Sequence, residues 1–314
     1  MTSAISLSGV TKRYRGVDAL TDLTLDVPAG AVYGFLGPNG AGKTTALKIL
    51  AGLTRPTSGT AVVDGIAVDV QGAHRARIGY LAQDPRFYGW MTGRQTLEYV
   101  AGFFMPRASA ARIAELVELV GLTAAADRRT GTYSGGMRQR LGIAQALVGD
   151  PSVVLLDEPA AALDPLGRHD VLRLLERLRG TTTVLYSTHI LDDVERVSDY
   201  VAIIDLGRVV VASSTSDLMR RASGGRIRVE LVGATDGTDA ALAAIPGVTE
   251  VVVANRGGRE TEYDLGVADG RTELVQAAVM RLAADSGLIV TGNRQESVDL
   301  ESIFLRIVRE ERAA

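Results

Sequence analysis

The sequence predicts an α/β protein followed by a second, smaller α+β domain. Three observations indicate this class. Short apolar runs of strand length alternate with amphipathic segments of helix length. The chain has 314 residues, which is more than one ordinary domain needs. Its composition, 46% hydrophobic and 23% charged, is that of a globular protein. We therefore expect a core built on a mostly parallel sheet.

The elements of the first domain follow one another in a βα order. A strand-like run over residues 24–36 ends in the apolar AVYGFL, and a glycine-rich turn leads into the helical TTALKILAGL. TAVVDG and AVDV predict two further strands, and helices follow over residues 96–121 and 137–148. The apolar PSVVLLDE, a helix, TTTVLYS, a second helix and DYVAIID then alternate as βα units do. We expect a helical insertion between Gln83 and Pro151.

The final third of the chain carries a different pattern. RRASGGR predicts a linker at residues 223–225. Strands and helices then follow in the order βαββαβ from RIRVELV to GLIVTG, which is the order of a ferredoxin-like domain. DLESIFLRIVREE predicts one more helix. We expect two domains, residues 1–222 and residues 223–314, with a helical subdomain at about residues 84–150 of the first.

The bulk composition excludes several classes of protein. The net charge is −3, so no basic surface for nucleic acid is indicated. The chain has no cysteine, which excludes disulfides, iron–sulfur clusters and thiolate zinc sites. No apolar stretch approaches the roughly 20 residues that cross a bilayer, and the N-terminus lacks the apolar core of a signal peptide. We expect a cytoplasmic chain that does not itself span a membrane.

A phosphate-binding loop is predicted at GPNGAGKTT. The segment matches G-x-x-x-x-G-K-[ST] and lies between a buried-type strand and a helix, the context that this pattern requires. Backbone N–H groups would surround the phosphates, Lys43 would reach the β and γ phosphates, and Thr44 would bind Mg²⁺. The alternative, a glycine-rich turn without a ligand, is disfavoured because motif and context agree. The loop comprises Gly37, Pro38, Asn39, Gly40, Ala41, Gly42, Lys43, Thr44 and Thr45.

Two acids follow the apolar strand in VVLLDEP. Asp157 and Glu158 stand at the end of that strand, where a parallel sheet presents its ligand crevice. Asp157 suits the coordination sphere of Mg²⁺, directly or through water, and Glu158 can take a proton from an attacking water. Solvated acids that merely cap a strand are the alternative, and the phosphate loop makes that the weaker interpretation.

GTYSGGMRQRLG contains half of a phosphate site. Ser134, Gly135 and Gly136 lie directly before a predicted helix, so that backbone N–H groups and a serine hydroxyl can meet an anion. No strand leads into the segment, and it has no lysine. The segment alone therefore does not form a complete phosphate site.

These motifs together resemble those of the ATP-binding cassette (ABC) ATPases, over roughly residues 3–220. The Ser134 segment is similar to the family's signature motif, Gln83 in YLAQDP to its Q-loop glutamine, and His189 in STHIL to its switch histidine. ALDP, with Asp164, resembles the D-loop, and Tyr14 in KRYRG resembles the aromatic residue that stacks on adenine. The resemblance implies a P-loop NTPase cassette with an antiparallel β subdomain and a helical subdomain.

The resemblance also implies how the half site is completed. In this family two cassettes meet head to tail, and each ATP lies between one phosphate loop and the opposing signature helix. Gln83 would then sense Mg²⁺ and the γ-phosphate, His189 would contact the γ-phosphate, and Asp164 would lie near the nucleotide. We expect a dimer of this chain with itself or with a sister ATPase, ATP and Mg²⁺ as cofactors, and no nucleic-acid partner.

Some positions depart from the family pattern or admit another interpretation. Met137 replaces a frequent glutamine, and Ala160 and Ala162 stand where a hydroxyl residue and a glycine are frequent. Neither change removes a phosphate donor or the catalytic acid, so we expect an active ATPase. Tyr14 can also be an ordinary half-exposed strand residue. His74 and His169 receive no functional assignment.

Several features favour a transport subunit of the ABC-2 exporter group, similar to daunorubicin resistance ATPases. The chain has one phosphate loop and an appended C-terminal domain, which would serve in dimer contact or regulation, or as a stabilising cap. Phe87, Tyr88 and Trp90 follow Gln83, where the family docks a separate membrane permease; core packing is their alternative. The ATPase would lie peripherally on the inner face of the cell membrane. A soluble ABC protein acting on ribosomes or DNA is the rival interpretation, and a non-ABC kinase or GTPase leaves the signature unexplained.

Overall fold

The structure is a computed structural model, which describes residues 2–69, 72–161, 163–223, 225–235, 237–257, 260–268 and 270–295. The chain divides into two compact units between Ser216 and Asp217. Ala162 of the predicted D-loop, Gly224 of the predicted linker, and the helix predicted from DLESIFLRIVREE lie outside the described residues.

A four-stranded antiparallel sheet opens the first unit. Its strands are β1 (Ser3–Tyr14), β2 (Val17–Pro28), β4 (Ser58–Val63) and β5 (Ile66–Ala67), in the order β2-β1-β4-β5. Along β2, Leu23, Leu25 and Val27 are buried while the residues between them are exposed. Because the side chains alternate with a period of two, one face of the sheet packs on the core and the other faces solvent.

The second sheet of this unit has six described strands in the order β10-β9-β3-β8-β7-β6. All neighbours are parallel except β9 and β10. The central strands read as continuous apolar runs because helices cover both faces of a parallel sheet. The carboxyl ends of β3, β7 and β8 therefore meet at one edge. The strands are β3 (Val32–Leu36), β6 (Ile78–Leu81), β7 (Val153–Leu156), β8 (Thr183–Thr188), β9 (Tyr200–Asp205) and β10 (Arg208–Ser214).

Three helices form the insertion that the sequence predicts between β6 and β7. Each begins at a hydroxyl residue whose side-chain oxygen accepts a backbone N–H, namely Thr92, Ser109 and Ser134. The helices of the first unit are α1 (Lys43–Leu50), α2 (Gly93–Ala101), α3 (Ala110–Leu119), α4 (Gly135–Leu147), α5 (Pro165–Leu178) and α6 (Leu191–Val197). The α/β class, the antiparallel subdomain and the helical insertion are thus confirmed.

Two boundaries differ from the sequence prediction. The single strand predicted over residues 24–36 is two strands in different sheets, because the chain turns at Gly30, whose φ of +75° favours glycine. Strand β1 was not predicted. Helix α7 (Thr215–Ser223) continues into the predicted linker, so Ser223 ends a helix.

The second unit contains a four-stranded antiparallel sheet with the order β12-β13-β11-β14. Its elements follow the βαββαβ order, and its two inner strands are the first and third, as in ferredoxin-like domains. One apolar cluster, which includes Ile227, Tyr263 and Val275, fills the space between sheet and helices. The elements are β11 (Arg226–Val232), α8 (Thr238–Ala243), β12 (Val248–Gly257), β13 (Glu260–Val267), α9 (Thr272–Ser286) and β14 (Ile289–Gln295).

None of the helices in the described part of the chain combines the length and the apolar character that crossing a bilayer requires.

Candidate functional site

The phosphate loop connects β3 to α1 and is tightly enclosed by backbone. A Cβ added at Gly37 would lie 2.3 Å from the carbonyl oxygen of Ile204. At Gly42, φ is +109°, and a Cβ would lie 2.6 Å from the carbonyl oxygen of Ala19. Only glycine fits these two positions, because one lacks space and the other also has a left-handed backbone. The loop can therefore bring its N–H groups close to an anion.

Lys43 is buried at the start of α1. Its Nζ donates to the carbonyl oxygens of Gly37 at 2.6 Å and Pro38 at 3.1 Å, and it lies 3.5 Å from Oε1 of Glu158. Burial lowers the pKa of Lys43, and the nearby charge of Glu158 opposes that shift. The ammonium group is thus held inside the loop by groups that a phosphate oxygen could replace.

Asp157 and Thr44 lie together although 113 positions separate them. The Thr44 hydroxyl donates to Oδ1 of Asp157 at 3.0 Å, and the Ser187 hydroxyl donates to the same oxygen at 2.8 Å. β3 and β7 both flank β8, which places all three side chains at one sheet edge. A hydroxyl and a carboxylate are hard oxygen donors of the kind that Mg²⁺ takes from protein, alongside water and substrate phosphates.

The described residues contain no cluster of three or more histidine, aspartate or glutamate side chains that could hold a metal ion. This agrees with the chemistry of Mg²⁺, which is bound through one or two carboxylates and the phosphates of its nucleotide rather than by an all-protein cage. The Thr44–Asp157 pair therefore fits a magnesium ion that arrives with a nucleotide.

Glu158 has a left-handed backbone with φ of +47°, which is uncommon for any residue except glycine. Its N–H donates to the Ser187 hydroxyl at 2.9 Å, and its Oε2 lies 3.2 Å from Nδ1 of His189. The carboxylate therefore lies between the cation of Lys43 and the imidazole of His189. Residues in such sparsely populated conformations concentrate at functional sites.

A cleft of about 520 Å³ opens over this cluster. Among the residues predicted from the sequence, it is lined by Asn39, Gly40, Ala41, Gly42, Lys43, Thr44, Thr45, Gln83, Glu158 and His189. The four motifs that supply these residues are far apart in the chain, and the fold brings them to one place.

Tyr14 does not line this cleft. Tyr14 is 45% exposed, the ammonium of Lys12 lies 4.7 Å from the ring centroid, and the tyrosine hydroxyl lies 3.4 Å from Oγ1 of Thr54. One face of the ring is thus covered by a cation. The adenine-stacking role of Tyr14 therefore remains a prediction.

The predicted half site at α4 also lies outside the cleft. Ser134 is exposed and its Oγ accepts the N–H of Met137 at 3.2 Å, so the serine is the N-cap of this helix. Gly135 is exposed, and a Cβ added there would have no atom within 4 Å. The helix N-terminus therefore opens to solvent, where its N–H groups can meet a second molecule.

Asp164 is the N-cap of α5. Its Oδ1 accepts the N–H of Gly167 at 2.9 Å, the side chain is exposed, and it does not line the cleft. Within a single chain, the observed role of Asp164 is therefore to cap the N-terminus of α5.

The sequence interpretation missed one residue of this cluster. Ser187 is fully buried and contacts both acids of the pair that follows β7. The signal that could have identified it is its place two residues before His189, at the end of a strand adjacent to β7.

Three comparisons place the chain among known proteins. The family model described as ABC transporter matches residues 20–161. The daunorubicin/doxorubicin resistance ATP-binding protein DrrA of Streptomyces peucetius is 41% identical over 255 residues, which cover 79% of this chain and 77% of DrrA. The uncharacterized ABC transporter ATP-binding protein YxlF of Bacillus subtilis is 36% identical over 306 residues, which cover 97% of this chain and 99% of YxlF.

Solved structures show the same fold. The dimeric, post-hydrolysis ATP-binding cassette MJ0796 bound to ADP and Pi has a TM-score of 0.61 at 26% identity, over 67% of this chain and 98% of that chain. A bacterial Atm1-family ABC exporter with ATP bound has a TM-score of 0.62 at 27% identity, over 70% of this chain and 40% of that chain. The chain therefore belongs to the ABC transporter ATP-binding proteins, and it is an ATPase of that family.

Proposed function

We propose that two copies of the cassette, or this chain and a sister ATPase, enclose Mg-ATP head to tail and drive a separate membrane permease that exports a drug, a lipid or another substrate. One observation carries the proposal. The phosphate loop, Glu158 and His189 line one cleft, while the Ser134 helix N-terminus is exposed outside it. A second protomer would supply the missing donors to the γ-phosphate. The dimeric MJ0796 cassette supports this arrangement.

Each residue of the cleft then has a chemical role. Lys43 and the loop N–H groups would neutralise the phosphates, which the N-terminus of α1 also attracts. Thr44 and Asp157 would hold Mg²⁺, which when bound stabilises negative charge on the transferred phosphoryl group. Gln83, which is exposed at the cleft, would contact this metal ion and the γ-phosphate.

Glu158 is the proposed general base. Its carboxylate would accept a proton from the water that attacks the γ-phosphate, and His189, 3.2 Å away, would hold the carboxylate and contact the γ-phosphate. Loss of the γ-phosphate removes the charge that attracts the opposing Ser134 helix. The dimer then opens, because a ligand shifts an equilibrium only through contacts that differ between two states.

A surface for the permease is proposed on the aromatic residues that follow Gln83. Tyr88 and Trp90 are 58% and 69% exposed, which excludes core packing for these two rings; Phe87 is half-buried. A chain of ring contacts links the exposed residues, with centroid separations of 5.9 Å, 6.3 Å and 5.2 Å for Tyr88–Trp90, Tyr88–Tyr99 and Tyr99–Phe103. Clustered exposed aromatic rings are typical of protein interfaces.

The similarity to a daunorubicin/doxorubicin resistance ATP-binding protein supports export as the direction of transport. A permease partner would hold the chain at the inner face of the cell membrane. The test is purification from membranes of cells that express the tagged chain. Recovery of a polytopic permease supports the proposal, whereas recovery with ribosomes or DNA would support the soluble alternative.

The hydrolytic half of the proposal is tested by Glu158→Gln. This substitution removes the base but keeps the size of the side chain, so we expect ATP binding to persist, turnover to fall by about 100-fold or more, and a dimer to accumulate with ATP. Turnover, nucleotide titration and light scattering measure the three effects. Wild-type turnover in this variant would refute the assignment of the base.

A further inference from the structure

Ser187 lies between the two acids that follow β7. It is fully buried in β8, and its hydroxyl donates to Oδ1 of Asp157 at 2.8 Å. The Oγ of Ser187 also accepts the N–H of Glu158 at 2.9 Å. A hydroxyl can donate one hydrogen bond and accept others, so one side chain satisfies both partners. Ser187 does not line the nucleotide cleft.

The contact with Glu158 matters because of the backbone conformation there. A glutamate with φ of +47° remains in that conformation only where its surroundings hold it. Lys43 and His189 contact its carboxylate, but Ser187 holds its amide. The hydroxyl therefore helps to hold the Glu158 backbone in the left-handed conformation from which its side chain extends.

The contact with Asp157 matters because its Oδ1 has two donors. Thr44 is the second, at 3.0 Å. If the Thr44 oxygen binds Mg²⁺, as the proposed function requires, Thr44 serves both the metal ion and the carboxylate. Ser187 lies outside the cleft and holds the same carboxylate oxygen independently of the metal ion.

We propose that Ser187 is a positioning residue for ATP hydrolysis, holding the Asp157 carboxylate for the metal ion and the Glu158 backbone for the base. The inference rests on the proposed function of this site. Ser187 touches neither nucleotide nor water in this role and acts only through its two neighbours. Outer-shell hydrogen-bond partners of this kind typically change activity or metal affinity by about 10- to 100-fold when removed.

The test compares three variants of the full chain. Ser187→Ala removes the hydroxyl, and Ser187→Thr keeps it. Ser198→Ala is the matched control, since Ser198 is also buried and its hydroxyl lies 2.7 Å from that of Tyr186, away from both acids. The readouts are kcat and KM for Mg-ATP, binding of an ATP analogue in EDTA, and hydrogen exchange at the Glu158 amide of the nucleotide-free chain.

We expect Ser187→Ala to lower kcat by about 10- to 100-fold with little change in KM or in metal-free nucleotide binding. The Glu158 amide should exchange faster in this variant alone, and Ser187→Thr should restore both values. An unchanged kcat, or an unchanged exchange rate at Glu158, would overturn the positioning role. If Ser187→Ala unfolds, low kcat in a folded Ser187→Thr variant would overturn it instead. A wild-type chain without ATPase activity would refute the proposed function itself.

Discussion

A partly buried ion pair between α5 and α6 allows a quantitative test of the fold. Nε of Arg168 donates to Oδ1 of Asp193 at 2.6 Å, and the side chains are 29% and 2% exposed. Arg168 lies one turn into α5, and Asp193 lies four residues after His189. Replacing Arg168 by methionine keeps much of the apolar stem but leaves a carboxylate buried without its cation.

The expected loss follows from that burial. Removing one partner of a buried pair costs about 3–5 kcal/mol, and because Arg168 is partly exposed we expect about 2–4 kcal/mol at pH 8. A double variant, Arg168→Met with Asp193→Asn, removes the stranded charge and should recover at least half of the loss. Arg196→Met is the control, because Arg196 lines a surface cavity together with Arg168 and Asp193 and is exposed.

The loss should also depend on pH. Burial already raises the pKa of Asp193, with Asp192 adding to the shift and Arg168 and His189 opposing it. Without Arg168 that pKa rises further above its unfolded value, so the folded state binds more protons than the unfolded state in the interval between the two. The loss of unfolding free energy in Arg168→Met is therefore complete at pH values above the folded-state pKa of Asp193. It becomes smaller as the pH falls through that pKa.

Urea unfolding at pH 8 and at pH 5 measures both effects. Trp90 is the single tryptophan, and its fluorescence reports on the first unit alone. At each pH the variant is compared with the wild-type chain, which removes the contribution of other titrating groups. Equal stability of Arg168→Met and Arg196→Met at pH 8, or an equal loss of unfolding free energy at pH 8 and pH 5, would refute this role of the ion pair.

The remaining predictions concern the site and its surfaces. Lys43→Ala should weaken ATP binding at least tenfold in a titration with a fluorescent analogue, because it removes the cation within the loop; wild-type affinity would contradict this role. Gly42→Ala should abolish nucleotide binding and destabilise the chain by about 1–3 kcal/mol in thermal unfolding, because the added Cβ would clash with the carbonyl oxygen of Ala19. Normal nucleotide binding in this variant would exclude that clash. Ser134→Arg should spare binding to the monomer but block hydrolysis, and full turnover would count against the shared site. Trp90→Ala should leave isolated ATPase activity unchanged and reduce export; undiminished export would move the permease surface elsewhere.

Much of the site could be predicted from local sequence. The phosphate loop could be predicted from a short segment, because its glycines, Lys43 and Thr44 lie within nine positions between an apolar strand and a helix. Helix α4 likewise has Ser134 as its N-cap, and a serine and two glycines precede the apolar residues of this helix. Such features depend on residues that are adjacent in the sequence, and for this reason they could be predicted from the sequence alone.

The break between β2 and β3 was not predicted, because apolar residues continue on both sides of Gly30. The alternating apolar residues of β2 and the apolar run of β3 are compatible with one strand or with two strands in different sheets, and the packing of the sheets distinguishes the two arrangements. The exposure of Trp90 was equally undetermined, since an aromatic residue after a turn can be buried or can face a partner.

The sequence by itself determined which chemical groups this ATPase has and in what order. Periodicity and turn residues act over a few positions, so they define the strands, the helix starts and the loop that surrounds a phosphate. Only the tertiary structure brought Ser187 between Asp157 and Glu158 and set Lys43 against the carboxylate of Glu158. Those contacts follow from the order β3-β8-β7, and strand order arises from long-range packing that no local pattern encodes.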